Sequence, residues 1–148
     1  MLWYHRRYHR EVLVVLDTSV LVAAWRSRSG ASHVLLERLL DGSFEIAVSV
    51  PLVLEYEAVL LRHLDAGRTR ADVETFVDYL CSAGLQQNIF FLWRPFLRDP
   101  KDDMVAEVAV ASQAEAVVTH NISDFAPIGQ FGLRVLTPGQ FLLQLPRR

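Results

Sequence analysis

Cysteine is almost missing from this chain: Cys81 stands alone. No intrachain disulfide can form, a reducing cytosol fits best, and the thiol is expected as small apolar filler in a helix. Lysine is equally scarce, with Lys101 the only one among 148 residues. No apolar run approaches the roughly 18 residues that a membrane span needs. Residues Met1–Arg10 carry basic side chains but no apolar signal core or small-residue cleavage site, so a cytoplasmic protein is expected. No G-x-G-x-x-G follows a strand-like run, which argues against dinucleotide binding. Neither sign of charge dominates: 15 basic against 17 acidic side chains give a net charge of −2. The sequence pI of about 6.2 lacks the overall basic footprint of many nucleic-acid binders. Internal repeats, low-complexity tracts and linkers are absent too. What remains is one compact domain over residues 12–146, preceded by a basic extension at residues 1–11.

The chain is 51% hydrophobic with a mean hydropathy of +0.20, high enough to suggest strands buried on both faces. Glu11–Leu16 reads as the first strand and Thr18–Trp25 as the helix after it. Ser32–Leu40 carries a helical stripe, ended by Asp41-Gly42-Ser43 with Gly42 as a left-handed cap. Phe44–Val48 is the second strand. Ser49 caps a helix with Pro51 in its first turn, running to about His63. A further helix covers Thr69–Ala83, and Gly84 stops it. Asn88–Trp93 reads as the third strand, followed by turn-rich Arg94–Pro100. Lys101–Gln113 is helical, Ala116–Thr119 is the fourth strand, and Asn121–Phe125 is a short turn or helix. Leu133–Leu136 is the fifth strand, and Thr137 caps a last helix with Pro138 in its first turn. Strands separated by helices imply right-handed crossovers and a parallel sheet covered on both sides, an α/β fold.

Four acids sit where strand-like runs give way to helices: Asp17, Glu55, Asp103 and Asp124. Strand ends are where open α/β sheets place their ligand crevice. Two carboxylates about 4 Å apart repel by about 4 kcal/mol at an effective dielectric near 20. A hard divalent cation removes that cost, and oxygen-only ligands point to Mg²⁺ or Mn²⁺. Asp17 either caps a helix or binds the metal directly. Glu55 needs a compensating arginine or cation if buried, whereas Glu57 points to another face. In Asp99-Pro100-Lys101-Asp102-Asp103, Asp99 or Asp102 caps the helix. Asp103 is then expected as the metal ligand and Asp102 as cap or supporting acid. At the fourth corner, Thr119 and Asn121 emerge from a strand end, Asp124 follows one turn later, and His120 is either a base or, as a lone surface histidine more often is, incidental. Arg6, Arg7, Arg10, Arg26, Arg28, Arg62, Arg68 and Arg70 lie outside this acidic set, as a rim for a phosphate backbone or as solvated faces.

In this order and spacing, five segments resemble the PIN-domain nucleases, notably the small prokaryotic VapC-like ribonucleases of toxin–antitoxin pairs. They are Val15–Val22, Val48-Ser49 through Glu55, Arg98–Asp103, Val117–Asn121 and Arg134–Pro138. The resemblance covers Val12 to about Leu145. It implies a three-layer PIN-like fold and a Mg²⁺- or Mn²⁺-dependent ribonuclease, usually dimeric and inhibited by a partner antitoxin. Its acidic positions fall on Asp17, Glu55, Asp103 and the Asn121/Asp124 corner. Ser19 stands where the family often has asparagine, and Asn121 where many members have aspartate.

The expected chemistry is in-line attack of a metal-activated water on a backbone phosphorus. Asp17 and Asp103 would hold the metal, with Asp124 and Asn121 at a second metal or its waters. Glu55 would orient the water or take its proton, and Ser19 and Thr119 would contact the phosphate. An aspartyl-phosphate phosphatase fits poorly, because Ser19 occupies the place of its second aspartate and Lys101 is the only available lysine. The stronger rival is a degenerate PIN-fold module that binds RNA or a protein without cutting, to which Asn121 lends weight.

Overall fold

The computed structural model describes residues 12–64, 67–89 and 96–147. Its centre is β1, Leu13–Leu16, whose Val14, Val15 and Leu16 are fully buried. β-Branched and aliphatic side chains on consecutive positions suit a strand covered on both faces. The remaining strands are β2 (Glu45–Val48), β3 (Leu85–Gln86), β4 (Ala116–Val118) and β5 (Arg134–Leu136), in the spatial order β3-β2-β1-β4-β5. Every pairing is parallel, with Val14 opposite both Ile46 and Ala116, and Leu16 opposite Val118.

Among the described residues seven helices flank the sheet: α1 (Thr18–Arg26), α2 (Ala31–Leu40), α3 (Val50–Leu61), α4 (Arg70–Ala83), α5 (Pro100–Ala111), α6 (Ile122–Phe125) and α7 (Pro138–Gln144). Their starts follow the expected chemistry. Ser49 accepts from the Leu52 amide with Pro51 in the first turn, and Thr69 and Thr137 each close a capping box. Gly42, at φ +81°, supplies the left-handed residue after α2. Among the described residues no helix is long and apolar enough to cross a membrane.

Two expectations need correction. The third described strand is Leu85–Gln86, ahead of the expected Asn88–Trp93, of which 88 and 89 are not strand and 90–93 lie outside the described residues. Gly84 explains the earlier start. A Cβ there would sit 2.8 Å from the Leu80 carbonyl and 3.1 Å from the Val48 side chain, so only glycine lets the chain pass directly from α4 into pairing with β2. Cys81 is in a helix as expected but exposed rather than filling the core, its thiol pushed up first by partial burial and then by the Asp78 and Glu57 charges. The first strand begins at Leu13; Glu11 and the basic extension lie outside the described residues.

One core unites both faces of the sheet, with Phe44 meeting Phe141 edge-on at 5.1 Å and α5 packed against β1, β2 and β4. A buried hydroxyl ties α3 to the sheet: Tyr56 donates to the Leu16 carbonyl. Burial, then the nearby Asp17 charge, pushes the phenol far up, so it stays a donor. Tyr56→Phe should therefore cost about 1–2 kcal/mol by stranding that carbonyl. A lower urea midpoint at unchanged slope is the expected reading; an unshifted midpoint would show the bond contributes nothing.

Candidate active site

The strand order reverses at β1, which pairs with β2 on one side and with β4 on the other. At such a switch point the two outgoing loops diverge and leave a crevice at the strand ends. Asp17 follows β1 and Thr119 follows β4, held level by the Asp17 amide donating to the Val118 carbonyl at 2.9 Å. The topology thus places an acid and a hydroxyl at the mouth of the crevice.

Asp17 takes the N-cap position of α1 with only 3% exposure, yet its side chain makes no capping bond. Ser19 and Thr119 instead donate to its Oδ2, at 2.7 and 2.8 Å. Among the described residues Oδ1 has only the Thr18 hydroxyl, 3.5 Å away. The two hydroxyls are themselves anchored. Thr119 Oγ1 accepts from the Asn121 amide at 2.9 Å, and Ser19 Oγ from the His120 amide at 3.1 Å. Ser19 and Thr119, expected at the phosphate, are therefore committed to orienting Asp17. A buried carboxylate with one oxygen so lightly bonded is costly unless a cation completes it.

The two neighbouring acids of α5 stand in different surroundings. Asp99 caps the helix, accepting from the Lys101 amide at 3.0 Å. Asp103, 1% exposed, spends both oxygens on the loop before it, accepting from Leu97 N at 2.7 Å and Phe96 N at 3.2 Å. Asp102 is the acid in electrostatic reach of Asp17 and Asp124. Its carboxyl is pushed up to about 7, first by burial and then by Asp17, Asp99, Asp124 and Asp103. Position on the helix explains the difference. Asp103 shares its burial with Glu107 one turn on, so the inward face of α5 carries this pair while Asp102 looks toward the strand ends. Glu107 was legible only as the i+4 partner of Asp103.

Glu55 is partly buried and has its compensating cation: Lys101 Nζ lies 3.9 Å from Glu55 Oε1. Glu57 faces elsewhere, close enough to Cys81 on α4 to act on its thiol. Asp124 and Asn121 are exposed at the start of α6, the Asp124 amide donating to the Asn121 carbonyl at 3.1 Å. His120 is not incidental in its placement, since its Nε2 lies 2.7 Å from Oγ of the buried Ser32.

This donor set is all oxygen, which suits a hard cation. Among the described residues no three His, Cys, Asp or Glu side chains already form a metal cage. The arrangement fits an open site instead, of the kind in which one or two carboxylates share Mg²⁺ with several waters.

The family model of the PIN domain matches residues 13–123, three quarters of the chain and all the strand ends just described. The chain belongs to the PIN-domain family. PIN domains generally depend on a divalent metal, in keeping with the oxygen-only donors. Two solved structures share the fold of this PIN domain. One is VapBC2 from Rickettsia felis bound to a DNA fragment from its promoter, at 19% identity and TM-score 0.58, over 85% of this chain and 98% of that one. The other is VapBC-1 from nontypeable Haemophilus influenzae, at 16% identity and TM-score 0.55, over 86% and 99%. Among curated proteins none matches this PIN domain.

Proposed function

We propose that this PIN domain is a divalent-metal-dependent endoribonuclease and the toxin of a toxin–antitoxin pair. The observation that carries the reading is Asp17. Its buried carboxylate is withheld from helix capping and aimed by two hydroxyls, with Asp102 and Asp124 in electrostatic range. Asp17 and Asp102 would hold the cation directly, with Asp124 bearing on its waters. When bound, Mg²⁺ or Mn²⁺ supplies a water of lowered pKa and a counter-charge for the developing phosphorane. The chain's own residues do the rest. Ser19 and Thr119 keep Asp17 in one orientation, Glu55 orients the water or takes its proton, and Lys101 pairs with Glu55. Asn121 offers a neutral carbonyl oxygen beside Asp124. Asp103 supports the site by clamping residues 96 and 97 rather than by reaching the metal.

Likeness to two VapBC assemblies supports a protein antitoxin as partner. Val50 and Leu54 on α3 and Leu85 on the edge strand are exposed apolar side chains suited to a homodimer contact. A domain over residues 12–146 in the cytoplasm belongs to the same reading.

The experiment is cleavage of a labelled RNA by protein stripped with EDTA and reloaded with Mg²⁺ or Mn²⁺. Activity should vanish on stripping and return on reloading; undiminished cleavage in EDTA would refute the metal role. Asn121, an amide where many family members have an acid, favours one other reading, a non-cutting RNA- or protein-binding module. Calorimetric titration separates the two, because an inert module should bind no Mn²⁺.

A further inference from the structure

Beside Asp17 lies a recess of about 570 Å³ that the chemistry above does not use. Its size falls within the ~300–1,000 Å³ range of small-ligand pockets. Val22, Ala23 and Val59 give it apolar walls, and Ser19, His120 and Arg26 its polar contacts. We infer that this recess is a subsite for the nucleotide adjoining the scissile phosphate, with His120 and Arg26 as the side chains that engage it. The inference rests on the ribonuclease reading, deepening it from cleavage to recognition.

Three observations converge. First, the recess is continuous with the site: Ser19 lines it and donates to Asp17 Oδ2. Second, the spacing on α1 suits a nucleotide. Ser19, Val22, Ala23 and Arg26 share one helical face, and Ser19 and Arg26 lie about 10 Å apart along the axis. A base laid on the valine and alanine surface would therefore leave its outer phosphate near the guanidinium, a planar fork that matches phosphate oxygens. Among the described residues no carboxylate lines the recess, unlike the acidic cluster next to it. Third, His120 is held at both ends. Its amide donates to Ser19 Oγ, and its ring Nε2 bonds the hydroxyl of Ser32, a residue buried in the first turn of α2. An imidazole fixed in this way offers a preorganised surface for base stacking, which RNA-binding sites use.

The test compares wild type with His120→Ala and with Ala23→Trp, which fills the recess. Cleavage positions are mapped on a random-sequence RNA pool in Mn²⁺. Binding of short oligo(A), oligo(C) and oligo(U) is measured by fluorescence anisotropy in Ca²⁺. Both variants should bind about five- to tenfold more weakly, the scale of losing one stacked base. They should also flatten the base preference at one position beside the cut, while keeping wild-type Mn²⁺ affinity. Wild-type binding and an unchanged cut profile in both variants would overturn the subsite and leave the ribonuclease reading standing. RNA binding that the variants weaken, without any cleavage by wild type, would remove the nuclease and the subsite beside a cut, leaving the recess as an RNA-binding pocket. No RNA binding by wild type would remove both.

Discussion

Replacing Asp17 with asparagine should lower metal-dependent RNA cleavage by about 10²–10³-fold, the scale at which one electrostatic group is lost from a preorganised site. The fold should survive. The Ser19 and Thr119 hydroxyls can donate to an amide oxygen as they do to Oδ2, and removing one charge relieves Asp102. The loss should fall on kcat and on Mn²⁺ affinity in calorimetry, with circular dichroism unchanged. If Asp17→Asn cleaves RNA like wild type, the carboxylate that anchors the proposal is not catalytic.

The second large effect separates Asp102 from Asp103, adjacent in sequence and opposite in consequence. Asp103→Ala strands the amides of Phe96 and Leu97, at a cost of about 2–3 kcal/mol. With ~2–4 °C per kcal/mol for a chain of this size, Tm should fall by about 4–12 °C. Asp102→Asn should instead raise the Tm of metal-free protein by about 2–4 °C, because it removes a charge opposed first by burial and then by its acidic neighbours. It should nonetheless abolish Mn²⁺-dependent cleavage. The pH dependence has a definite sign. Asp102 is held up to about 7 in the folded chain against an ordinary 3.8, so the folded form keeps a proton the unfolded form has lost. That contribution is fully present below about pH 4 and disappears as pH rises through 7. Metal-free wild type should lose stability over this window, Asp102→Asn should lose less, and Mn²⁺ should reverse the loss by displacing the proton. Equal pH slopes in the two proteins would show that Asp102 does not carry the strain.

Much of this was legible in the chain. Consecutive apolar residues at 13–16, 45–48 and 116–118 mark strands buried on both faces, and Ser49, Thr69 and Thr137 announce their helices. Strand order followed only loosely, since local patterns do not say which strands are neighbours. The third strand starts at Leu85, ahead of the expected Asn88, because pairing with β2 is set by the close approach that Gly84 allows. Asp17 was identifiable because it ends a strand. Asp102 and Asp103 were not separable, for a helix rotates about 100° per residue and a boundary shift of one residue swaps their faces. The Ser32–His120 and Tyr56–Leu16 links span 88 and 40 residues, beyond any local signal.

Lys101 pairs with Glu55 at the edge of the acidic crevice, and it carries the only ε-amine in the sequence. Reductive methylation with ¹³C-formaldehyde would therefore place one side-chain label in the molecule, apart from the α-amine, and place it beside the acidic crevice. A cation arriving at Asp17 changes the field at that amine without touching it. The scarcity of lysine thus gives the protein a built-in spectroscopic probe, in which occupancy of the site is followed as a single moving resonance.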